Sequence, residues 1–328
     1  MQNLFADILY ALRQFRLSPV FTATAILTLA IGIGGTTAIF SLMDAVMLRS
    51  LPVTDPASLY RIGEGTDCCV EGSPQGDWGF FNFRLYEKVK NAAPEFEELA
   101  AFKAGGAQFS VRRAGLERIA RPLRGEYVTG NSFSTFGIRP MAGRLLTPAD
   151  DQASAPPAAV LSYAAWTTHY GSDPSVIGGT FVVEDHPFTV IGIAPPGFYG
   201  ETLRSDPPDL WLPIQQEPLV AGEGSLLRQS FAAWLRVIGR VRPGAKIGPS
   251  LSARLTTVLR NWLRDEAGFP AAWQADIVRV LPKQTLNVVP AGSGVAEMKE
   301  NYGNSLQILL AICGLVLLIA CANVANLL

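Results

Sequence analysis

Apolar and polar positions are distributed very unevenly along this chain. No Asp, Glu, Lys or Arg occurs from Val20 to Met43, and after Glu300 the chain stays uncharged to Leu328. A helix needs ~20 mostly apolar residues to cross the ~30 Å hydrocarbon core of a bilayer. Residues 20–43 and 306–328 both reach that length, so the pattern predicts two membrane helices. Ahead of the first, Leu4, Phe5, Ile8, Leu9, Leu12 and Phe15 recur at helical spacing, and Ser18-Pro19 breaks the run. Residues 1–18 are therefore expected to lie as an amphipathic helix on the cytosolic membrane surface, with residues 19–48 as the first span.

The stretch between the two apolar runs has the patterning of a globular domain. Residues 59–62 read as a short strand and residues 80–92 as a helix with Phe81, Leu85 and Val89 on one side. Residues 108–112 alternate, with Phe109 and Val111 inward. A second unit of this kind follows much later. Residues 234–241 alternate, Pro249 suits the first turn of a helix, and Leu251, Leu255, Val258, Leu259 and Trp262 line one face of it. Residues 276–281 read as its closing strand. Two strand–helix–strand units can cover a small sheet.

Residues 158–162 read as a strand and 163–170 as a short helix. Residues 180–183 and 188–193 read as a hairpin turning at Glu184-Asp185-His186-Pro187, followed by a Pro-rich run over 194–213. The Pro content of residues 147–157 marks a boundary. The expected fold class is a membrane protein with an α/β domain over 49–305. Its βαβ units fall at 49–150 and 231–300, with an inserted subdomain at about 151–230, and a second membrane helix runs over 306–328.

Composition agrees with this layout. Only 17% of the 328 residues are charged, against an average of about 25%, and the mean hydropathy is +0.22, which excludes a disordered chain. Residues 44–300 hold 25 of the 27 Lys and Arg and 27 of the 28 Asp and Glu. A net charge of −1 and a pI near 6.2 argue against a nucleic-acid partner. Arg13 and Arg16 before the first helix outweigh Asp7, which places the N-terminus in the cytoplasm and the middle domain outside it.

Candidate chemistry is sparse. Gly130-Asn131-Ser132-Phe133-Ser134 fails the nucleophile-elbow pattern at its last position, and Gly32 to Thr37 lacks the Lys of a phosphate loop. His169 and His186 have no ligand-spaced partner, and Asp150-Asp151 reads as a solvated turn before it reads as a cation site. Four Cys make no disulfide scaffold: Cys68 and Cys69 are neighbours, and Cys313 and Cys321 fall in the second apolar run. The chain is expected to be no enzyme and to hold no cofactor or metal. Thr28, Gly32 and Thr36 stand four apart, the spacing that lets helix backbones approach closely, and are the helix-packing candidates. Asn323 and Asn326 are expected near the headgroup level.

Several segments carry a family resemblance: "DILYALRQFRLSPVFTATAILTLAIGIGGTTAIFSLMDAVMLRSLPVTDP" (7–56), "GNSFSTFGIRPMAGRLLTPAD" (130–150), "AAVLSYAAWTTHYGSDPSVIGGT" (158–180), "FTVIGIAPPGFYG" (188–200) and "LLAICGLVLLIACANVANLL" (309–328). Together they resemble bacterial ABC-transporter permeases of the MacB/FtsX-like type, and most of all the large permeases first noted in acidobacteria. The resemblance implies a porter-like periplasmic core with an inserted subdomain and a bacterial inner-membrane location. It also implies further membrane helices after Leu328, a separate cytosolic ABC ATPase, and a second permease half or a homodimer. It carries no catalytic residues into this region. MacB itself has an ATPase fused ahead of its first helix, whereas this chain starts with the arm. The chain is accordingly read as a piece of a longer permease, ending inside its second helix. The competing reading is a two-helix membrane sensor whose outer domain binds a ligand.

Overall fold

Charge-poor and charge-rich sequence separate into different structural units. The computed structural model describes residues 17, 19–44, 50–63, 79–204, 206–295 and 297–327. One unit comprises Met1–Arg49 with Ala296–Leu328, the other Ser50–Val295. The amphipathic arm and Cys68-Cys69 lie outside the described residues. In chain order the elements begin with α1 (Pro19–Met43), β1 (Leu59–Ile62), α2 (Phe83–Asn91), β2 (Phe96–Lys103), β3 (Ala107–Arg113) and β4 (Arg121–Val128). They continue with α3 (Ser132–Phe136), β5 (Ala142–Gly143), β6 (Ala158–Leu161), α4 (Tyr163–Tyr170), β7 (Thr180–Val183), β8 (His186–Ile193) and β9 (Leu210–Pro213). The last are α5 (Glu217–Ala221), β10 (Leu235–Val241), α6 (Pro249–Asp265), α7 (Gln274–Val280), β11 (Val288–Pro290) and α8 (Glu297–Leu327).

The first unit pairs α1 with α8. In α1, the hydroxyls of Thr24, Thr28, Thr36 and Ser41 each donate to the carbonyl four residues earlier, at 2.7–2.8 Å. These polar groups are thereby satisfied within the helix, the condition for placing them in hydrocarbon. By length and composition Thr22–Met43 is able to cross a membrane, and α8 contains a shorter apolar stretch, Gly303–Ile319.

The second unit is built on one sheet in the order β11-β1-β10-β2-β4-β3-β7-β8-β6-β9, with β5 beside β8. In its first part, β1 is antiparallel to both β10 and β11, and β10 is antiparallel to β2. Thus β1 and β2, joined through α2, run parallel with β10 between them. Likewise β10 and β11 run parallel with β1 between them. Both helices cover the same face: Leu85 and Val89 of α2 join Leu251, Leu255, Leu259 and Trp262 of α6 over Ile62, Leu99, Leu235 and Val237. Each such buried leucine contributes roughly 1.5–3 kcal/mol over an exposed one.

α2 begins later than the sequence suggests. Asn82 Oδ1 accepts from Arg84 N at 2.9 Å and caps the helix there. Phe81 stays extended, with its N–H donating to Leu235 O at 2.7 Å.

The rest of the sheet closes on itself. β4 pairs with β3, β3 with β7, β7 with β8, β8 with β6, β6 with β9, and β9 returns to β4 in parallel register. A closed circuit leaves no open strand edge among these six. It draws β3 and β4 from before residue 151 and β6 to β9 from after it. Phe109, Leu123, Phe181, Phe188, Val190 and Leu210 are buried together on one side of these strands. Val160 and Trp211 face the other way, into a second cluster with Phe133, Phe136 and Phe198. Gly125 leaves the space that the Phe109 ring fills, and a Cβ there would collide with it. The β7–β8 turn is made by Glu184 (φ 45°) and Asp185 (φ 66°), the left-handed pair of a two-residue hairpin.

One expected strand is a helix. Residues 276–281 fall in α7, and the strand of that region is β11. Asp276 in the first turn and Arg279 in the last suit the helix dipole, and the two side chains pair at 2.9 Å. The Pro-rich run over 194–213 likewise ends in a fully buried strand, β9.

Candidate functional site

Of the three helix-packing candidates, Gly32 is buried, Thr36 half-buried and Thr28 exposed. A Cβ on Gly32 would sit 2.9 Å from Leu317 Cδ1 and 3.7 Å from Leu317 Cα, so α1 passes close to α8 at this glycine. Gly34, Gly35 and Gly314 have open space at the same test. Cys313 and Cys321 of α8 are free thiols.

In the outer unit, the segments at its two ends are fastened side by side. Leu51 N donates to Gly292 O and Ala291 N to Leu59 O, both at 2.8 Å, continuing the β1–β11 pairing. Arg240, on β10, gathers the entering segment. Its guanidinium donates to Thr54 O (2.6 Å), Asp55 O (3.2 Å), Ser58 Oγ (2.5 Å) and Thr135 O (2.9 Å). Thr54 Oγ1 adds a bond to Gly137 O at 2.7 Å. The leaving segment is held elsewhere: Val295 N donates to Glu201 O at 2.8 Å, and Thr202 bridges Val295.

Glu201 belongs to a buried acidic pair. Arg204 Nη2 donates to Glu126 Oε1 at 2.8 Å and to Glu201 Oε1 at 3.0 Å. Thr202 Oγ1 donates to Glu201 Oε1 at 2.8 Å. Glu126 is wholly buried, and its Oε2 has no hydrogen-bond partner among the described residues. Burial, reinforced by Glu201 and only partly offset by Arg204, pushes the Glu126 carboxyl well above the usual range. A cleft of about 260 Å³, lined by Gly106, Gln108, Arg124 and Asp206 among others, opens onto Arg204.

Asp150 and Asp151 are both engaged by the chain itself. Asp150 accepts from Arg144 Nη1 and Nη2 at 2.7 Å and from Thr147 N and Oγ1 at 2.9 and 2.8 Å. The Arg144 hydrogen bonds hold its pKa down to about 2. Asp151 accepts from Gly130 N at 3.0 Å and Gln215 N at 2.9 Å, and burial raises its pKa. Ser132 Oγ lies 3.2 Å from Thr129 Oγ1, a structural contact. His186 opens β8 beside the hairpin turn, and His169 lies in α4, where its carbonyl accepts from Arg121. Among the described residues, no cluster of three or more His, Cys, Asp or Glu is placed to hold a metal ion. Sequence reading missed Glu126 and Arg240, because their partners come from distant parts of the chain, and Glu201, because only the fold buries it beside Glu126.

The α/β unit follows a helix long and apolar enough to cross a membrane. Residues 22–258 match the MacB-like periplasmic core domain, and the chain belongs to that family, which supports an ABC-transporter-type permease. No curated protein matches the chain in sequence. Among solved structures, a domain of a permease protein from Porphyromonas gingivalis is 14% identical, with a TM-score of 0.48 over 72% of this chain and 91% of that one. The periplasmic region of MacB from Actinobacillus actinomycetemcomitans is 12% identical, with a TM-score of 0.47 over 76% and 94%. The extracellular domain of the ABC-type transporter YknZ from Gram-positive bacteria is 12% identical, with a TM-score of 0.42 over 62% and 93%.

Proposed function

We propose that the chain is a permease subunit of a MacB/FtsX-type ABC transporter, in which a separate cytosolic ATPase drives conformational work or export through the outer unit. The observation that carries this reading is the family match, which runs unbroken from α1 into α6. In this reading α1 and α8 are both membrane spans, Ser50–Val295 is periplasmic and porter-like with the strand circuit as its second lobe, and the N-terminus is cytosolic. The membrane is the bacterial inner membrane, and a second permease half or a second copy completes the assembly. Thr28, Gly32 and Thr36 form the packing stripe of the first span, with Gly32 its contact point.

The energy source is external in this reading. No Gly-x-x-x-x-Gly-Lys-Ser/Thr occurs in the sequence, so there is no Lys-bearing cradle for nucleotide phosphates. Two measurements test the proposal. Topology reporters placed after Gln2 and within residues 148–157 should report cytoplasm and periplasm respectively. A cytoplasm-active reporter at the second position would overturn the orientation. The purified chain should bind no ATP by itself. Saturable ATP binding abolished by a point change inside this chain would overturn the permease assignment.

A further inference from the structure

Glu126 sits on β4, in the closed strand circuit, while Glu201 and Arg204 sit on the segment that follows β8. One guanidinium nitrogen serves both carboxylates, and both are essentially without solvent contact. A buried charge is costly unless it is balanced. Two carboxylates against one guanidinium leave one negative charge over. Among the described residues, Lys103 at the end of β2 also feels the charge of Glu126, less than that of Glu217. Burial lowers its pKa, and it is shared with Glu217, which accepts from Ser225 Oγ and Leu226 N. Across the parallel register, β9 presents Trp211, which carries no charge. Arg124 and Asp206 stand at the mouth of the neighbouring cleft, 3.6 Å apart. Oε2 of Glu126 is buried with no hydrogen-bond partner among the described residues.

We infer that Glu126 and Glu201 form a proton-binding site, in which one proton on the carboxylate pair completes the charge balance with Arg204 and so fastens β4 to the segment bonded to Val295. The link to Val295 is direct. Glu201 O accepts from Val295 N, Thr202 bridges Val295, and Gly294 passes so close to Glu201 O that a Cβ there would collide with it. Val295 is the last residue of the outer unit. Proton occupancy therefore governs how firmly the end of that unit is tied to the strand circuit, and a cleft reaches the Arg204 side chain that joins the two carboxylates.

The raised Glu126 pKa fixes the direction of the effect. Below the ordinary carboxylate range, both the closed and the locally opened forms hold the proton, and pH has no influence. Above that range the opened form has lost the proton while the closed form keeps it. Each further pH unit then favours opening by up to about ten-fold, until the closed-form pKa is passed.

The test is amide hydrogen exchange of the full chain in lipid nanodiscs from pH 5 to pH 9, corrected for intrinsic base catalysis. The expected result is a fall in protection at Val295 with rising pH. Glu126→Gln should remove that fall and retain the protection, because a neutral amide leaves Arg204 with one carboxylate to balance at every pH. A pH-independent Val295 in the unaltered chain, or the same pH dependence in Glu126→Gln, would overturn the proposal. Should that variant fail to fold, carboxyl carbon NMR of the unaltered chain decides. One of the two carboxyls still protonated at pH 7 supports the site, and both ionised by pH 5 sinks it.

Discussion

On the helix-backed side of the sheet, three arginines end chiefly on carbonyl oxygens. Arg240 holds Thr54, Asp55 and Thr135, Arg242 holds Pro94, and Arg260 holds Pro282 and Gln284. Around the strand circuit they end on carboxylates: Arg113 on Asp173, Arg121 on Glu117, Arg144 on Asp150, and Arg204 on Glu126 and Glu201. Arg254 mixes the two styles, reaching both Ala92 O and Glu95, as Arg113 and Arg121 do by also donating to Ser175 O and His169 O. Arg264 and Arg279 pair with Asp265 and Asp276 at the exposed surface of the helices. A carbonyl does not titrate and a carboxylate does. The carboxylate pairs of the circuit are the better buried, so its response to pH is expected to be the larger. The helix-backed part draws its cohesion from α2 and α6, and the circuit draws its own from closure and charge.

The largest effect should come from the helix-backed core. Trp262→Ala removes a fully buried ring beneath α6 and should cost about 3–5 kcal/mol in denaturant unfolding, with little change between pH 5 and pH 8. Arg240→Leu strands several carbonyls at once. It should cost about 2–3 kcal/mol and release residues 54–58 to protease, again without pH dependence. A strong pH dependence in either variant would break the comparison.

Acid should act on the circuit instead. Asp150 and Asp173 are both held at about 2, Asp150 chiefly by Arg144 and Asp173 chiefly by Ser175 and then Arg113. Their stabilisation is present above the ordinary carboxylate value near 4 and is lost as pH falls toward about 2. Hydrogen exchange should loosen around residues 144–151 and 173–175 first, and Asp150→Asn should abolish the acid response of the former. The smallest effect belongs to the other unit. Gly32→Leu forces its side chain against Leu317 and should weaken α1–α8 association by about 1 kcal/mol, read as reduced cysteine cross-linking between the helices. Unchanged cross-linking would mean that the close approach at Gly32 has no energetic weight.

Local rules made much of the fold readable. The apolar face of α6 with Pro249 at its start, the span of α4, and the β7–β8 hairpin follow from spacing and turn chemistry alone. β9 was not legible, because Leu210-Trp211-Leu212-Pro213 is buried on both sides and ends a Pro-rich run, which leaves no alternation to read. The apolar residues near Ile277 mimic a strand because short apolar runs do not separate the two periods. Gly32 was legible as a candidate because small residues four apart are a local signal. Glu126 and Glu201 carry no such mark. Their burial is created by β4 meeting β9 across more than eighty residues of chain, and nothing in either neighbourhood announces it.

The side-by-side placement of β1 and β11 has a mechanical consequence. The start of β1 lies opposite the end of β11, Tyr60 against Pro290 and Ile62 against Val288, so the chain enters and leaves the outer unit at the same end of two bonded strands. A load that spreads the entering and leaving segments meets the Leu51–Gly292 and Leu59–Ala291 bonds first and the strand pairs afterwards, one by one, like a zipper. A load that draws both segments the same way spares that seam. It passes in shear through β1 to β10, whose four paired positions and Arg240 clamp carry it together. The domain is thus compliant to opening between its two ends and stiff to a common pull.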